Sequence, residues 1–130
     1  MFSVIIPVFN KAPYLQKAIY SVISQTFQEF ELIVVNDGSK DNSLEVLQSI
    51  NKTLDKPFTI INQQNAGVST ARNNGVAQAQ GIYLCFLDAD DWWESTFLEE
   101  MKILIDDYPE AGIWSCSYNI IKGGKTRLPR

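Results

Sequence analysis

Three carboxylates follow the most apolar segment of the sequence. Asp88, Asp90 and Asp91 come directly after the six residues Ile82–Leu87. Like charges this close repel one another, and near a core they are costly unless a cation neutralises them. Oxygen ligands favour a hard divalent ion, Mn²⁺ or Mg²⁺, which completes its shell with water and substrate phosphates. The alternative is that the acidic residues cap the following helix, but a cap needs only one of them.

Other residues are suited to binding a nucleotide. Asp37 follows a buried strand, where a carboxylate can accept a hydrogen bond from a base or a ribose; alternatively, it belongs to an ordinary Asp-Gly turn. Phe9 can stack on a base or end the core. The helix that opens at Gly67 offers free amides to an anion, with Arg72 one turn further on. The alternative for Arg72 is a structural salt bridge.

Composition excludes several kinds of chemistry. The chain has 130 residues and no histidine, so it contains no histidine base, histidine-containing triad or histidine metal ligand. Cys85 and Cys116 are too far apart to form a CxxC motif for zinc or redox exchange. The net charge of −4 argues against a nucleic-acid partner, because nucleic acids are bound through phosphate neutralisation.

The apolar pattern alternates between short β-rich runs and helical periods. It predicts strands at Phe2–Val8, Phe30–Val35, Phe58–Ile61, Ile82–Leu87 and Gly112–Tyr118. Helices are expected to follow the first four of these strands, beginning near Pro13, Leu44, Gly67 and Phe97. Asp41 or Asn42 is placed to cap the second helix.

Strict alternation of strands and helices predicts an α/β fold, a three-layer α/β/α arrangement around a mainly parallel sheet. In such a sheet, ligands bind beyond the carboxyl ends of the strands. The residues after the first, second and fourth strands are therefore expected to converge on one ligand. We assign residues 1–121 to this domain and residues 122–130 to a basic tail, whose simplest interpretation is a solvated terminus.

Five segments in order resemble the signatures of family 2 glycosyltransferases. They are Ser3–Asn10 (SVIIPVFN), Ser24–Phe27 (SQTF), Val35–Ser43 (VNDGSKDNS), Asn65–Asn73 (NAGVSTARN) and Phe86–Trp92 (FLDADDW). Each segment alone is a weak signal, whereas five in order at similar spacing are specific. The resemblance spans residues 2 to about 120.

This resemblance implies the GT-A fold, with a Rossmann-like nucleotide-binding half, and inverting transfer of a sugar from a nucleoside diphosphate sugar. By resemblance, Pro7 and Phe9 line the nucleobase site, Asp37 reads the base, typically uracil, and Arg72 lies nearby. Asp88 and Asp90 match the DxD motif. Asp90 would hold the metal at the diphosphate, and Asp88 would face the ribose or a metal-bound water.

The resemblance also implies partners. The donor is expected to be a UDP-sugar, and the acceptor a saccharide or a lipid-linked sugar in polysaccharide biosynthesis for the cell envelope. The family's catalytic base lies downstream of the DxD motif, so we expect it beyond Arg130 in a longer protein. The absence of an export signal and the two unpaired cysteines favour a cytoplasmic location, with attachment at the inner face of the membrane left open. A homo-oligomer is also left open.

Three other readings remain at this point. A phosphatase of the haloacid dehalogenase type also places a DxD pair after a buried strand, but normally after the first strand and not the fourth. A dinucleotide oxidoreductase would need a GxGxxG turn where Pro7 stands. The third is a nucleotide-sugar-binding module, which would have the same donor site but would not transfer the sugar.

Overall fold

The computed structural model describes residues 1–127, and the predicted order of four strand–helix pairs is confirmed. The strands of the main sheet are β1 (Phe2–Val8), β2 (Phe30–Asp37), β3 (Thr59–Gln63) and β4 (Tyr83–Phe86). The helices are α1 (Ala12–Ile23), α2 (Ser43–Lys52), α3 (Val68–Gln78) and α4 (Phe97–Asp107). In this part of the chain, no helix has the length and apolar character needed to cross a membrane.

The four strands form one parallel sheet in the order β3-β2-β1-β4. β1 lies at the centre and is buried along its whole length. Its register places Ile5 beside Ile33 of β2 and beside Phe86 of β4. Because all four strands run the same way, the loops that follow them meet at one edge of the sheet.

The helices cover the two faces of the sheet unequally. α1, α2 and α4 contribute to the larger core, which packs on the face that carries Val4, Ile6 and Val8. α3 covers the opposite face alone, over a smaller core that contains Ile5 and Ala71. The three-layer α/β/α prediction is therefore confirmed.

The predicted fifth strand at Gly112–Tyr118 is wrong. Within residues 1–127 this segment forms no strand, and the chain instead makes a small antiparallel hairpin of β5 (Ile120–Lys122) and β6 (Lys125–Arg127). Trp114 explains the apolar signal, because its ring packs edge-to-face on Tyr83 at 5.9 Å while Ile113 is 87% exposed. The contact with β4 is thus made by a side chain and not by a backbone ladder.

The hairpin crosses the boundary between residues 121 and 122 at which we placed the end of the domain. That boundary stays a prediction. The last three residues of the basic tail, including Arg130, lie outside the described part of the chain.

Candidate functional site

A cleft of about 640 Å³ opens at the carboxyl edge of the sheet. All six residues that the sequence singled out contribute to its walls: Pro7, Phe9, Asp37, Arg72, Asp88 and Asp90. They come from the ends of β1 and β2, from α3 and from the loop after β4. The predicted convergence of the strand ends is therefore observed.

The loop between β1 and α1 is fixed to the loop after β2. Asn10 adopts a left-handed backbone conformation with φ of 52°, which asparagine tolerates better than most residues. Its side-chain Oδ1 accepts a hydrogen bond from the Lys40 backbone at 2.7 Å, and its own N–H donates to Ser39 Oγ at 3.0 Å. The loop thereby holds Phe9, which is 42% exposed, at the wall of the cleft.

Asp37 is buried at the end of β2, where it organises the start of α3. Its carboxylate accepts hydrogen bonds from the backbone N–H groups of Ala66 at 2.8 Å and Gly67 at 2.9 Å. Gln63 Nε2 donates to the same carboxylate at 2.8 Å. Asp37 is therefore more than an Asp-Gly turn residue, because it fixes the segment from which α3 begins.

Gly38 is required immediately after Asp37. Its φ is +66°, and a Cβ atom there would lie 2.6 Å from the backbone nitrogen of Asn65. A residue with a side chain would be strained in both respects. The close approach keeps the turn after β2 against the 65–67 segment.

Arg72 and Asp88 form an ion pair across the cleft, with Arg72 Nη2 at 2.7 Å from Asp88 Oδ1. The guanidinium also lies 6.0 Å from the centre of the Phe86 ring. The Nε atom of Arg72 is buried and has no hydrogen-bond partner among the residues that the structure describes. The structure thus joins the two predicted residues and leaves one donor of the guanidinium unused.

Asp90 pairs with a residue that the sequence analysis missed. Lys11 Nζ lies 2.6 Å from Asp90 Oδ2, although the two residues are 79 positions apart. The hydrogen bond from Lys11 lowers the pKa of Asp90, and the same bond raises the pKa of Lys11. Spacing gave no sign of this pair; the one available signal was that Lys11 stands just before a predicted helix, where a short polar cap residue is usual, and that signal does not identify Asp90 as its partner.

The three aspartates after β4 do not form a common metal cluster. In residues 1–127, no group of three acidic, cysteine or histidine side chains is arranged to hold an ion. Arg72 and Lys11 supply the neutralising charges for Asp88 and Asp90. Burial, followed by the charges of Asp90 and Asp88, raises the pKa of Asp91.

Gln25 fixes the chain beyond these aspartates. It is 2% exposed, and its Nε2 donates to the backbone oxygens of Ser21 at 2.9 Å and Glu94 at 2.7 Å. Its Oε1 accepts from the N–H of Leu98 at 2.8 Å, in the first turn of α4. The SQTF segment therefore anchors the loop after Asp90 to the end of α1, a role that the sequence pattern did not reveal.

Sequence comparison assigns this architecture to a family. The profile described as Glycosyl transferase family 2 matches residues 3–130. Glycosyltransferase GlyA of Streptococcus pneumoniae is 42% identical over 106 residues, which are 82% of this chain and 15% of that protein.

Solved structures share the fold. S. aureus TarS (residues 1–349) has 30% sequence identity and a TM-score of 0.75, with 83% of this chain and 33% of that chain covered. TarS has also been solved in complex with UDP and with UDP-GlcNAc. The mannosyltransferase PcManGT of Pyrobaculum calidifontis, in complex with GDP-Man and Mn²⁺, has 25% identity and a TM-score of 0.68 over 71% of this chain and 28% of that chain.

The chain thus spans a third or less of the length of these three relatives. Over that part the structural neighbours are GT-A enzymes, so the expected fold is confirmed. The five sequence segments, the parallel sheet and the family profile agree, and the chain belongs to glycosyl transferase family 2.

Proposed function

We propose that the cleft binds the nucleoside diphosphate of a UDP-sugar and that this chain is the donor-binding part of an inverting glycosyltransferase. The observation that carries the proposal is the meeting of six side chains from separate elements in one cleft of about 640 Å³. TarS, which shares this fold, has been solved with UDP and UDP-GlcNAc.

The base would lie against Pro7 and Phe9, whose apolar surfaces suit a flat ring. The Asp37 carboxylate would accept a hydrogen bond from the uracil N–H. Two of the four hydrogen bonds to its carboxylate reach Oδ2, and the one from Asn65 Nδ2 is long at 3.4 Å. A carboxylate has about four acceptor positions, so a closer donor would take the place of the long contact from Asn65. Arg72, with its unused Nε, would complete the nucleotide site.

The acidic pair after β4 would face the ribose and the diphosphate. Asp88 is assigned to the ribose or to a metal-bound water, and Asp90 to a divalent ion. The Asp90 carboxylate lines the cleft and is 44% exposed, which fits an ion that takes its other ligands from phosphates and water. When bound, Mn²⁺ or Mg²⁺ would stabilise the negative charge that develops on the departing nucleoside diphosphate.

Transfer also requires a base that takes the proton of the acceptor hydroxyl. The cleft carboxylates are engaged, because Asp37 holds the start of α3 while Asp88 and Asp90 pair with cations. Because the resemblance to family 2 glycosyltransferases implies a base downstream of the DxD motif, we assign the base to a part of the protein beyond Arg130, together with the site for a saccharide or lipid-linked acceptor. The isolated chain is expected to bind donor without efficient transfer.

The test is titration calorimetry of UDP into the chain, with Mn²⁺ and with a chelator. We expect saturable binding that needs Mn²⁺ and is lost in Asp90→Ala. Asp106→Ala is the matched control, because it removes an exposed carboxylate from α4, where Asp106 pairs with Lys102 away from the cleft. This control should bind UDP as the wild type does.

Two results would contradict the proposal. A folded wild-type chain that does not bind UDP with Mn²⁺ would exclude a preformed UDP site. Efficient sugar transfer from a UDP-sugar by the 130-residue chain alone would show that the base lies within it.

A further inference from the structure

Lys11 occupies a position at which lysine does not stabilise the fold. It is the N-cap residue of α1, and the first turn of that helix contains no acidic residue. N-cap positions favour Ser, Thr, Asp and Asn, and a positive charge at a helix N-terminus opposes the helix dipole. A residue that conflicts with its local structure is typical of a functional position.

The backbone of Lys11 is held firmly. Its N–H donates to Ser43 Oγ at 3.1 Å, and its carbonyl accepts from the N–H of Tyr14 at 2.9 Å. The preceding residue, Asn10, is tied to the loop after β2. The side chain is 37% exposed and remains free to exchange partners, while its point of attachment at the wall of the cleft is fixed.

The ammonium group takes the place that a metal ion would need. It lies 2.6 Å from Asp90 Oδ2, on the carboxylate assigned to the divalent ion. Arg72 holds Asp88 in the same way. A divalent ion that arrives alone must displace the ammonium and then bear its repulsion, with no new partner offered to Lys11. An ion that arrives with a diphosphate supplies that partner.

We propose that Lys11 competes with the divalent ion for Asp90, so that metal binding there depends on a bound nucleoside diphosphate. This proposal rests on the proposed donor site. Without nucleotide, Lys11 neutralises Asp90 and weakens binding of the free ion. With nucleotide, the ammonium moves to the phosphate oxygens and leaves Asp90 to the metal. Lys11 is then a positioning residue that couples the two ligands, and linkage requires the coupling to be reciprocal.

The experiment measures Mn²⁺ alone, from the loss of the free-ion signal in electron paramagnetic resonance, for wild type and Lys11→Met. An exposed ion pair changes an equilibrium by a factor of up to about five, so Lys11→Met should bind Mn²⁺ alone about three- to fivefold more tightly. The same substitution should weaken binding of UDP in the presence of Mn²⁺. A structural role for Lys11 would not shift the two affinities in opposite directions.

Two variants make the result specific. Lys56→Met removes the same charge from the exposed loop between α2 and β3, and should leave the affinity for Mn²⁺ unchanged. Adding Asp90→Asn to Lys11→Met should abolish the gain. Thermal unfolding of each variant establishes that it is folded.

No gain in Mn²⁺ affinity for Lys11→Met, or an equal gain for Lys56→Met, overturns the proposal. Because this comparison uses the metal alone, it decides whether Lys11 competes with the metal for Asp90 even if the wild type fails to bind UDP. Failure of UDP binding would count against the proposed function instead.

Discussion

Each end of β2 has a carboxylate that accepts hydrogen bonds from the backbone at one end of α3, but the two carboxylates lie in different surroundings. At the carboxyl end, Asp37 accepts hydrogen bonds from the backbone of Ala66 and Gly67, where α3 begins. At the amino end, Glu31 accepts hydrogen bonds from the backbone of Gln80 and Gly81, just after α3 ends. One strand thus holds both ends of the only helix that covers its face in the described structure.

The surroundings of the two carboxylates differ. Glu31 is half-buried outside the cleft; it accepts a hydrogen bond from the Ser3 hydroxyl and lies against Gly81, where a Cβ atom would lie 2.7 Å from the backbone of Phe2 and Ser3. Asp37 is buried, yet it lines the cleft. The comparison teaches that the same carboxylate–amide contact is purely structural away from the cleft, and is available for ligand binding where the carboxylate lines the cleft, even though that carboxylate is the more buried of the two.

The largest effect is expected for Asp37→Asn. One of the two backbone N–H groups at the start of α3 would lose its acceptor, and an unsatisfied group of this kind costs about 1–3 kcal/mol. We expect a loss of about 3 kcal/mol in the free energy of unfolding, measured with urea, at the upper end of that range. Affinity for UDP should also fall, by at least about tenfold. Unchanged UDP affinity in a folded variant would remove Asp37 from the donor site.

A smaller and purely structural effect is expected for Gly81→Ala at the other end. The added methyl group would press on the backbone of Phe2 and Ser3, and overpacking of this kind costs about 1–3 kcal/mol. Urea unfolding should show that loss, while calorimetry shows the same UDP affinity as the wild type. A loss of UDP binding under conditions in which the variant is folded would mean that the two ends are not independent.

The smallest effect is expected for Glu31→Gln, the matched counterpart of Asp37→Asn. Gln keeps an acceptor oxygen but loses the charge that strengthens the hydrogen bonds, so we expect a loss of about 1 kcal/mol at pH 7 and unchanged UDP affinity.

The effect of Glu31→Gln should also depend on pH. Burial raises the pKa of Glu31, but the hydrogen bonds from Ser3, Gln80 and Gly81 outweigh burial and hold it below its usual value. A lowered folded-state pKa contributes stability above the unfolded-state pKa, and that contribution is lost as the pH falls through the folded-state value. The stability gap between wild type and variant should therefore narrow below about pH 4. A constant gap would contradict the assignment.

The layout of the fold could be predicted because the apolar pattern and the turn residues agree along most of the chain. The run Phe2–Val8 is fully buried, and β2 ends within the predicted break at Asn36–Ser39, although the strand continues past the predicted Val35 to Asp37. The segment Gly112–Tyr118 misled the prediction because Trp114 and Ile113 look alike in a hydrophobic pattern. Only the structure shows that one packs on Tyr83 while the other faces solvent.

The convergence of the selected residues on one cleft was predictable, but most of the contacts among them were not. Asp37, Asp88 and Asp90 could be selected because carboxylates at strand ends are unusual and share one edge of a parallel sheet. A salt bridge of Arg72 was among the alternatives, but the partner of Asp90 could not be selected, because Lys11 is 79 positions away. The contact of Gln25 with Leu98 spans 73 positions and was likewise not predictable. Such contacts depend on loop conformation and side-chain reach, which spacing in the sequence does not encode.

The central place of β1 has a consequence for synthesis of the chain. The strand is made first, yet β4, which supplies its second hydrogen-bonded neighbour, begins only at Tyr83. A nascent chain that has not reached Tyr83 carries an apolar strand with one unpaired edge, the type of segment that promotes aggregation. Pro7 lacks the N–H that a ladder needs, so the exposed edge is a poorer template for pairing with another chain while the ribosome completes the sheet.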